Sequence, residues 1–267
     1  MAGTGRRNFR LALGDLWQGI TSIYIWPMLG WQDIKQRYRR SVIGPFRLTI
    51  SYGAMIFAMG PLYGRLLQQD ISAYFPYLAV SFVVWTLLSG IIIDSCNAFI
   101  GAEGYIKEVK LPLTVHVLRV VWKNVLICAH NFLIVVVVMF FYPPTINWSM
   151  LLIPLGVLVI AINGVWVGLL FGVFCARFRD VPQVVTSVVQ IAFFVTPVMW
   201  RSNMLGRKEW MADLNPLTHF LQVVRAPLLS AEIPLTSWCV VVIIALVGFP
   251  LTLAVFSRFR SRVPYWV

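Results

Sequence analysis

Residues 149–174 read SMLLIPLGVLVIAINGVWVGLLFGVF, a stretch without one charged side chain. A helix of about 20 mostly apolar residues is long enough to cross the hydrocarbon core of a bilayer. Five more windows qualify or nearly qualify: 45–64, 74–96, 117–141, 182–200 and 236–256. Of 267 residues, 59% are hydrophobic and 12% charged, and mean hydropathy is +0.79. A soluble domain carries about 25% charge. This much apolar surface exceeds what a core built from the chain can enclose, so lipid is the expected solvent. The expected fold class is an all-α membrane protein with six transmembrane helices. An N-terminal amphipathic interfacial helix precedes them, and re-entrant short helices lie between helices five and six.

The formal charge of +12 would suggest nucleic acid in a soluble chain, but here its placement matters more than its sum. Arg6, Arg7, Arg10, Lys35, Arg37, Arg39 and Arg40 precede the first window. Lys107 and Lys110 lie between windows two and three, Arg177 and Arg179 between four and five, and Arg258, Arg260 and Arg262 in the tail. The alternate links are poor in basic residues: Arg65 alone after window one, and none in YPPTINWS after window three. Short Lys/Arg-rich loops face the cytoplasm. Both termini are therefore expected there, and six crossings close the parity. The organisation reads as 1–44, a cytoplasmic segment; 45–256, the membrane domain; and 257–267, a basic cytoplasmic tail. No nucleic-acid partner is expected.

Two segments depart from simple spans. At 100° per residue, Leu13, Leu16, Trp17, Ile20, Ile23 and Tyr24 share one arc, with Asp15, Gln18, Thr21 and Ser22 opposite. That pattern predicts a helix lying on the membrane surface. Between windows five and six, PLTHFLQVVRAPLL is apolar but too short to cross, and Pro216 and Pro227 bracket it. Segment 203–230 is expected to dip in from the outer face and return.

Candidate chemistry is sparse. His116, Arg119, Lys123 and His130 form one stripe on window three, and Asp94 is the expected counter-charge for Arg119 or Lys123. The rest of Asp94's role reads as structural, because acid–base catalysis on glycosides needs two paired carboxylates. Asp180 is expected to cap the helix that Pro182 enters. His219 has no visible partner. The four cysteines are scattered in or beside apolar runs, so neither a metal site nor a disulfide framework is expected. No GxxxxGK[ST] motif is present, so any ATP and Mg would sit on a partner subunit, and the chain itself is expected to need no cofactor.

Taken in order, the amphipathic start, RYRRSVIGPF (37–46), the six windows, FRDVPQ (178–183), TPVMW (196–200), NPLTHFLQVVRAPLL (215–229) and the basic tail ending RVPYWV (262–267) resemble a known pattern. They are similar to the permease subunit of bacterial ATP-binding-cassette exporters of polysaccharide, above all the O-antigen export permeases, with capsule and teichoic-acid exporters as cousins. Arg47 departs from the family's GPxW pattern, which places a bulky apolar residue there. The resemblance implies a non-enzymatic permease of the bacterial inner membrane, working as two copies with two copies of a separate ATPase. It implies that GAEGYIKEVKLP (101–112) is the coupling segment, with Tyr105, Ile106, Lys107 and Glu108 touching the ATPase. Pro197, Trp200, Pro216, Arg225 and Pro227 then belong to an outer gate. The implied cargo is a glycan on an undecaprenyl-pyrophosphate carrier, an anion that Arg37, Arg39, Arg40, Arg47, Arg119 and Lys123 would recruit. Rival readings are a teichoic-acid, capsule or small-molecule exporter of the same permease type, a secondary transporter, which commonly shows inverted repeats, and a membrane-bound transferase, which would need clustered carboxylates or histidines.

Overall fold

The computed structural model describes residues 2–38, 46–230 and 232–267, with side chains described for 7–36, 49–230 and 232–267. Among these residues every regular element is helical. The α-helices are α1 (Ala2–Thr21), α2 (Ile25–Tyr38), α3 (Phe46–Leu66), α4 (Ile71–Cys96), α5 (Glu103–Glu108) and α6 (Leu113–Phe141). They continue with α7 (Leu152–Arg177), α8 (Val181–Val195), α9 (Trp210–Asp213), α10 (Pro216–Leu229), α11 (Leu235–Phe259) and α12 (Val263–Trp266).

Four segments are long and apolar enough to cross a membrane: Ile71–Cys96, Leu113–Phe141, Trp148–Arg177 and Leu235–Trp266. The opening stretch of the sequence analysis is one of them. The predicted windows at 45–64 and 182–200 fare differently. α3 has the length but carries Pro61 inside and Arg65 in its last turn. α8 is apolar but has only 15 residues, about 22 Å of helix against a hydrocarbon core of about 30 Å.

α4 is the centre of the bundle. Its residues from Tyr74 to Trp85 are all buried, and α3, α6, α7, α8 and α10 pack on it. In lipid there is no hydrophobic drive between helices, so association rests on close packing. α7 supplies this with Gly156, Gly164, Gly168 and Gly172 along one edge. A Cβ at Gly156 would lie 2.8 Å from the Val223 carbonyl oxygen of α10, and one at Gly172 would lie 2.9 Å from the Phe99 ring. These glycines let backbone meet neighbour directly.

The bundle has two distinct ends. At one, here the α5 end, α1, α5, the start of α6 and the C-terminal tail meet: Asp15 of α1 contacts both Leu113 and Arg260. At the other, the α10 end, Tyr74 at the start of α4 donates to the Met199 carbonyl, and Ser149 donates to the Pro227 carbonyl of α10.

α1 is amphipathic in an inverted sense. Ala12 and Asp15 face the protein, with Gly19 close enough that a Cβ would lie 2.6 Å from Thr114 Cβ. Leu13, Trp17 and Ile20 face outward, and Trp17 is 69% exposed. The helix stops at Thr21, so Ile23 and Tyr24, expected on the same helical arc as Leu13 and Trp17, sit in a turn. The cause is local: the Thr21 hydroxyl bonds back to Trp17 O and the Ser22 hydroxyl to Gln18 O, side-chain bonds that compete with helix continuation. After the turn, α2 packs along α6, with Trp26 edge-on to Trp122. A second expectation fails at α8: Asp180 sits at the N-cap position, but its side chain makes no capping bond, and Pro182 alone shapes the first turn.

Candidate functional site

The segment 101–112 folds as a 3-10 turn at Ile100–Ala102, then α5, then an extended stretch to Pro112. Glu103 and Lys107, four residues apart, pair at 2.6 Å. The hydrogen bond from Lys107 Nζ holds the Glu103 carboxyl below the usual carboxylate range. Tyr105, Lys107 and Glu108 are exposed, whereas Ile106 is half-buried and packs on the core. α5 therefore stands out from the bundle with polar and aromatic groups turned to its surroundings and one apolar root.

Beside that root, Tyr105 ties α5 to the core through a charge. The Arg119 guanidinium lies 5.5 Å from the centre of the Tyr105 ring. It also grips Asp33 of α2 with two donors, Nε to Oδ2 at 2.6 Å and Nη2 to Oδ1. Three elements, α5, α6 and α2, thus meet at one guanidinium, whose planar fork suits a carboxylate in this two-point geometry. His116, one turn earlier on α6, is buried beside Tyr105, with ring centres 6.5 Å apart, and neither ring nitrogen has a hydrogen-bond partner. Of the remaining stripe, Lys123 pairs with Asp94 at 2.8 Å, as the sequence suggested for that carboxylate, and Asn124 donates to the same oxygen. His130 Nδ1 meets the Leu126 carbonyl at 2.8 Å. Arg119 takes Asp33 rather than Asp94.

A second knot joins both termini. The Asp15 carboxylate accepts from Leu113 N, Thr114 N and Thr114 Oγ1, filling the open amides at the start of α6, and from Arg260 Nε at 2.8 Å. Arg179 donates to the Trp266 carbonyl, and Arg177 lies over the Trp266 ring. The α5 end is one cross-linked unit.

At the α10 end, three of the five residues expected to form an outer gate, Pro197, Trp200 and Arg225, come together. Arg225 of α10, 3% exposed, donates to the Pro197 carbonyl at 2.7 Å and to Ser81 Oγ at 3.1 Å. Tyr77 of α4 donates its hydroxyl to the carbonyls of Pro197 and Trp200. Trp200 Nε1 closes back on Phe194 O. Pro216 opens α10 next to Asn215, whose side chain caps that helix, and Pro227 lies inside it. His219 does have partners: Nε2 donates to the Asp213 carbonyl at 2.8 Å, and Nδ1 meets Ser237 Oγ at 3.0 Å.

Arg39 and Arg40 lie outside the described residues, as do the side chains of Arg37 and Arg47. The residues that sequence reasoning missed are Asp15, Asp33, Tyr77 and Arg201. Asp15 lies on the polar arc of the helical wheel, opposite the apolar residues, which gives no sign of a buried partner. Asp33 and Tyr77 had no pattern to mark them, but an aspartate in a chain with only 10 acidic residues is itself a signal.

Residues 26–229 match the family described as ABC-2 type transporter. Two proteins named O-antigen export system permease protein RfbA, both from Klebsiella pneumoniae, are similar to this chain. One is 25% identical over 86% of this chain and 90% of its own length, the other 25% identical over 71% and 74%. A protein of the same name from Myxococcus xanthus is 21% identical over 76% of this chain and 79% of its own.

Proposed function

The chain belongs to the ABC-2 type transporter family, and from that premise we propose that it is the channel-forming subunit of an ATP-driven exporter of a lipid-linked polysaccharide of the O-antigen type. The printed names of its relatives support the cargo class. The observation that carries the mechanism is α5, a short exposed helix rooted through Tyr105 in the Arg119–Asp33 pair.

In this reading the α5 end faces the cytoplasm, with both termini, and α3, α4, α6, α7, α11 and α8, the last completed by the turn at 196–200, make six crossings of the bacterial inner membrane. Residues 203–230 form the outer, re-entrant gate, with Pro197 and Trp200 beside it. Two copies line a path between them, and each seats α5 on one of two ATPase subunits that bind ATP and Mg. Closure of the ATPase pair presses on segment 101–112. Arg119 passes the displacement to α6 and α2, the seam between the copies opens, and the polymer moves outward. ATP biases the channel only because its two states touch the ATPase differently.

The test is co-expression with an ATP-binding-cassette ATPase encoded beside this chain, co-purification, and ATP hydrolysis in proteoliposomes. Tyr105→Leu keeps apolar bulk but removes the ring over Arg119. A cation–π contact of this kind contributes about 0.5–1 kcal/mol, so coupled hydrolysis falls by roughly two- to fivefold. A chain that binds no ATPase at any stoichiometry overturns the reading.

Recruitment of the anionic carrier, an undecaprenyl-pyrophosphate-linked glycan, falls first to Arg37, Arg39, Arg40 and Arg47, since Arg119 and Lys123 already hold carboxylates. Arginine suits two-point contact with phosphate. Reversing charge at Arg39 and Arg40 together lowers surface polysaccharide more than it lowers the amount of protein in the membrane. Unchanged surface polysaccharide rejects the role.

A further inference from the structure

The α10 end holds an open pocket of about 480 Å³ between the start of α4, the turn after α6, the 201–203 segment and α10. Its lining includes Arg201, Arg225, Tyr77, Asn203 and Gln222, and no aspartate or glutamate. The two guanidiniums flank one ring: Arg225 lies 4.4 Å and Arg201 5.1 Å from the centre of Tyr77. Arg225 is 3% exposed, and among the described residues no carboxylate pairs with it; its contacts are a hydroxyl, a carbonyl and the ring. Arg201 donates to the Ala73 carbonyl, while its buried Nε has no hydrogen-bond partner. The carboxylate of Asp70, outside the pocket lining, accepts from Ser72 and also attracts Arg201.

Two like charges converging on one aromatic ring repel each other, and a buried cation is stable only when paired or well hydrogen-bonded. One guanidinium already bridges α10 to Pro197, and Arg201 brings a second positive charge to the same ring, with only Asp70, outside the pocket lining, to offset it. An oxyanion resolves the imbalance. It would meet charge-assisted donors from Arg201, amide donors from Asn203 and Gln222, and the Tyr77 and Tyr142 rings as apolar walls.

We infer that this pocket is a phosphate-binding site at the α10 end, taking a phosphate or pyrophosphate group carried either by a membrane lipid headgroup or by a soluble molecule. The inference stands on the pocket alone and does not depend on the transport reading.

The purified protein, in dodecyl maltoside at constant ionic strength, is titrated with inorganic pyrophosphate, with chloride as control, and its melting temperature is followed. In parallel it is placed in nanodiscs of phosphatidylglycerol or of an uncharged glycolipid. A soluble ligand gives a saturable rise with pyrophosphate and no lipid dependence; a headgroup ligand gives a rise in phosphatidylglycerol that pyrophosphate does not add to. In either case Arg201→Gln weakens the apparent affinity about tenfold or more, the loss of one charged hydrogen bond of about 1.5–3 kcal/mol, and Arg201→Lys recovers part of it. Arg201 is partly exposed and makes one backbone bond, so this variant folds even where Arg225→Gln does not. If wild type and Arg201→Gln respond identically to both anion and lipid, the site does not exist.

Discussion

Asp15 accepts from two α6 amides, the Thr114 hydroxyl and Arg260 Nε on a side chain only 2% exposed. A helical wheel puts this residue on a polar face, and a polar face is ordinarily turned to water. Here the faces exchange roles: the apolar residues of α1 look outward and its one carboxylate looks in. Asp15→Ala leaves Arg260 without its carboxylate and two amides without an acceptor. Arg260 is one-third exposed and partly solvated, which puts the cost near the low end for a broken buried pair, about 3 kcal/mol. Asp15→Asn keeps an acceptor for the amides and loses less. Thermal unfolding in detergent measures both. A cycle with Arg260→Ala isolates the pair, and a coupling indistinguishable from zero removes Asp15 as the clamp. Asp33 teaches the same lesson. Its partner Arg119 lies 86 residues away, and no periodicity in one sequence connects them, whereas Asp94 was found because it precedes a stripe of cations on a neighbouring span.

Whole helices were more legible than the contacts between them. The windows at 74–96, 117–141, 149–174 and 236–256 correspond to helices of membrane length because a long apolar run in lipid has only one way to satisfy its backbone. Where polar residues interrupt the run, composition decides less, as in α3, and α2 was not read as a helix at all. Packing of helices is legible mainly through glycine, and α1 offers a direct comparison. A Cβ at Gly14 meets nothing within 4 Å, whereas one at Gly19 lies 2.6 Å from Thr114 Cβ. Gly14→Ala therefore stabilises by up to about 1 kcal/mol through helix propensity. Gly19→Ala forces α1 away from α6 and destabilises by about 1–3 kcal/mol. Opposite shifts in melting temperature confirm that α1 is seated as described; shifts of the same sign mean that it is not. The gate region was legible as a place but not as a mechanism: prolines marked its limits, yet Tyr77, which binds Pro197 and Trp200, lies more than a hundred residues earlier.

At the scale of the molecule, the two ends differ in charge and in how they are tied. The α5 end gathers Lys107, Lys110, Arg177, Arg179, Arg258, Arg260 and Arg262, with both termini knotted through Asp15. The α10 end has Arg65, Arg201, Arg207, Lys208 and Arg225, of which Arg225 is buried. Each exposed cation near an anionic leaflet contributes about 1 kcal/mol of attraction, so under the proposed topology the α5 end is held to the cytoplasmic surface and α5 is presented to whatever docks there. Cysteine chemistry tests this directly. Cys96, Cys128 and Cys175 are buried, and Cys239→Ser removes the exposed one. In that background a single cysteine is placed at Lys107 or at Lys208, both exposed. In cells with a permeable outer barrier and a sealed inner membrane, an impermeant maleimide labels the Lys208→Cys protein at once. It labels the Lys107→Cys protein only after the inner membrane is broken. The reverse pattern would turn α5 away from the compartment that holds ATP, and Tyr105, Arg119 and Asp33 would then form a structural junction with no motor to move it.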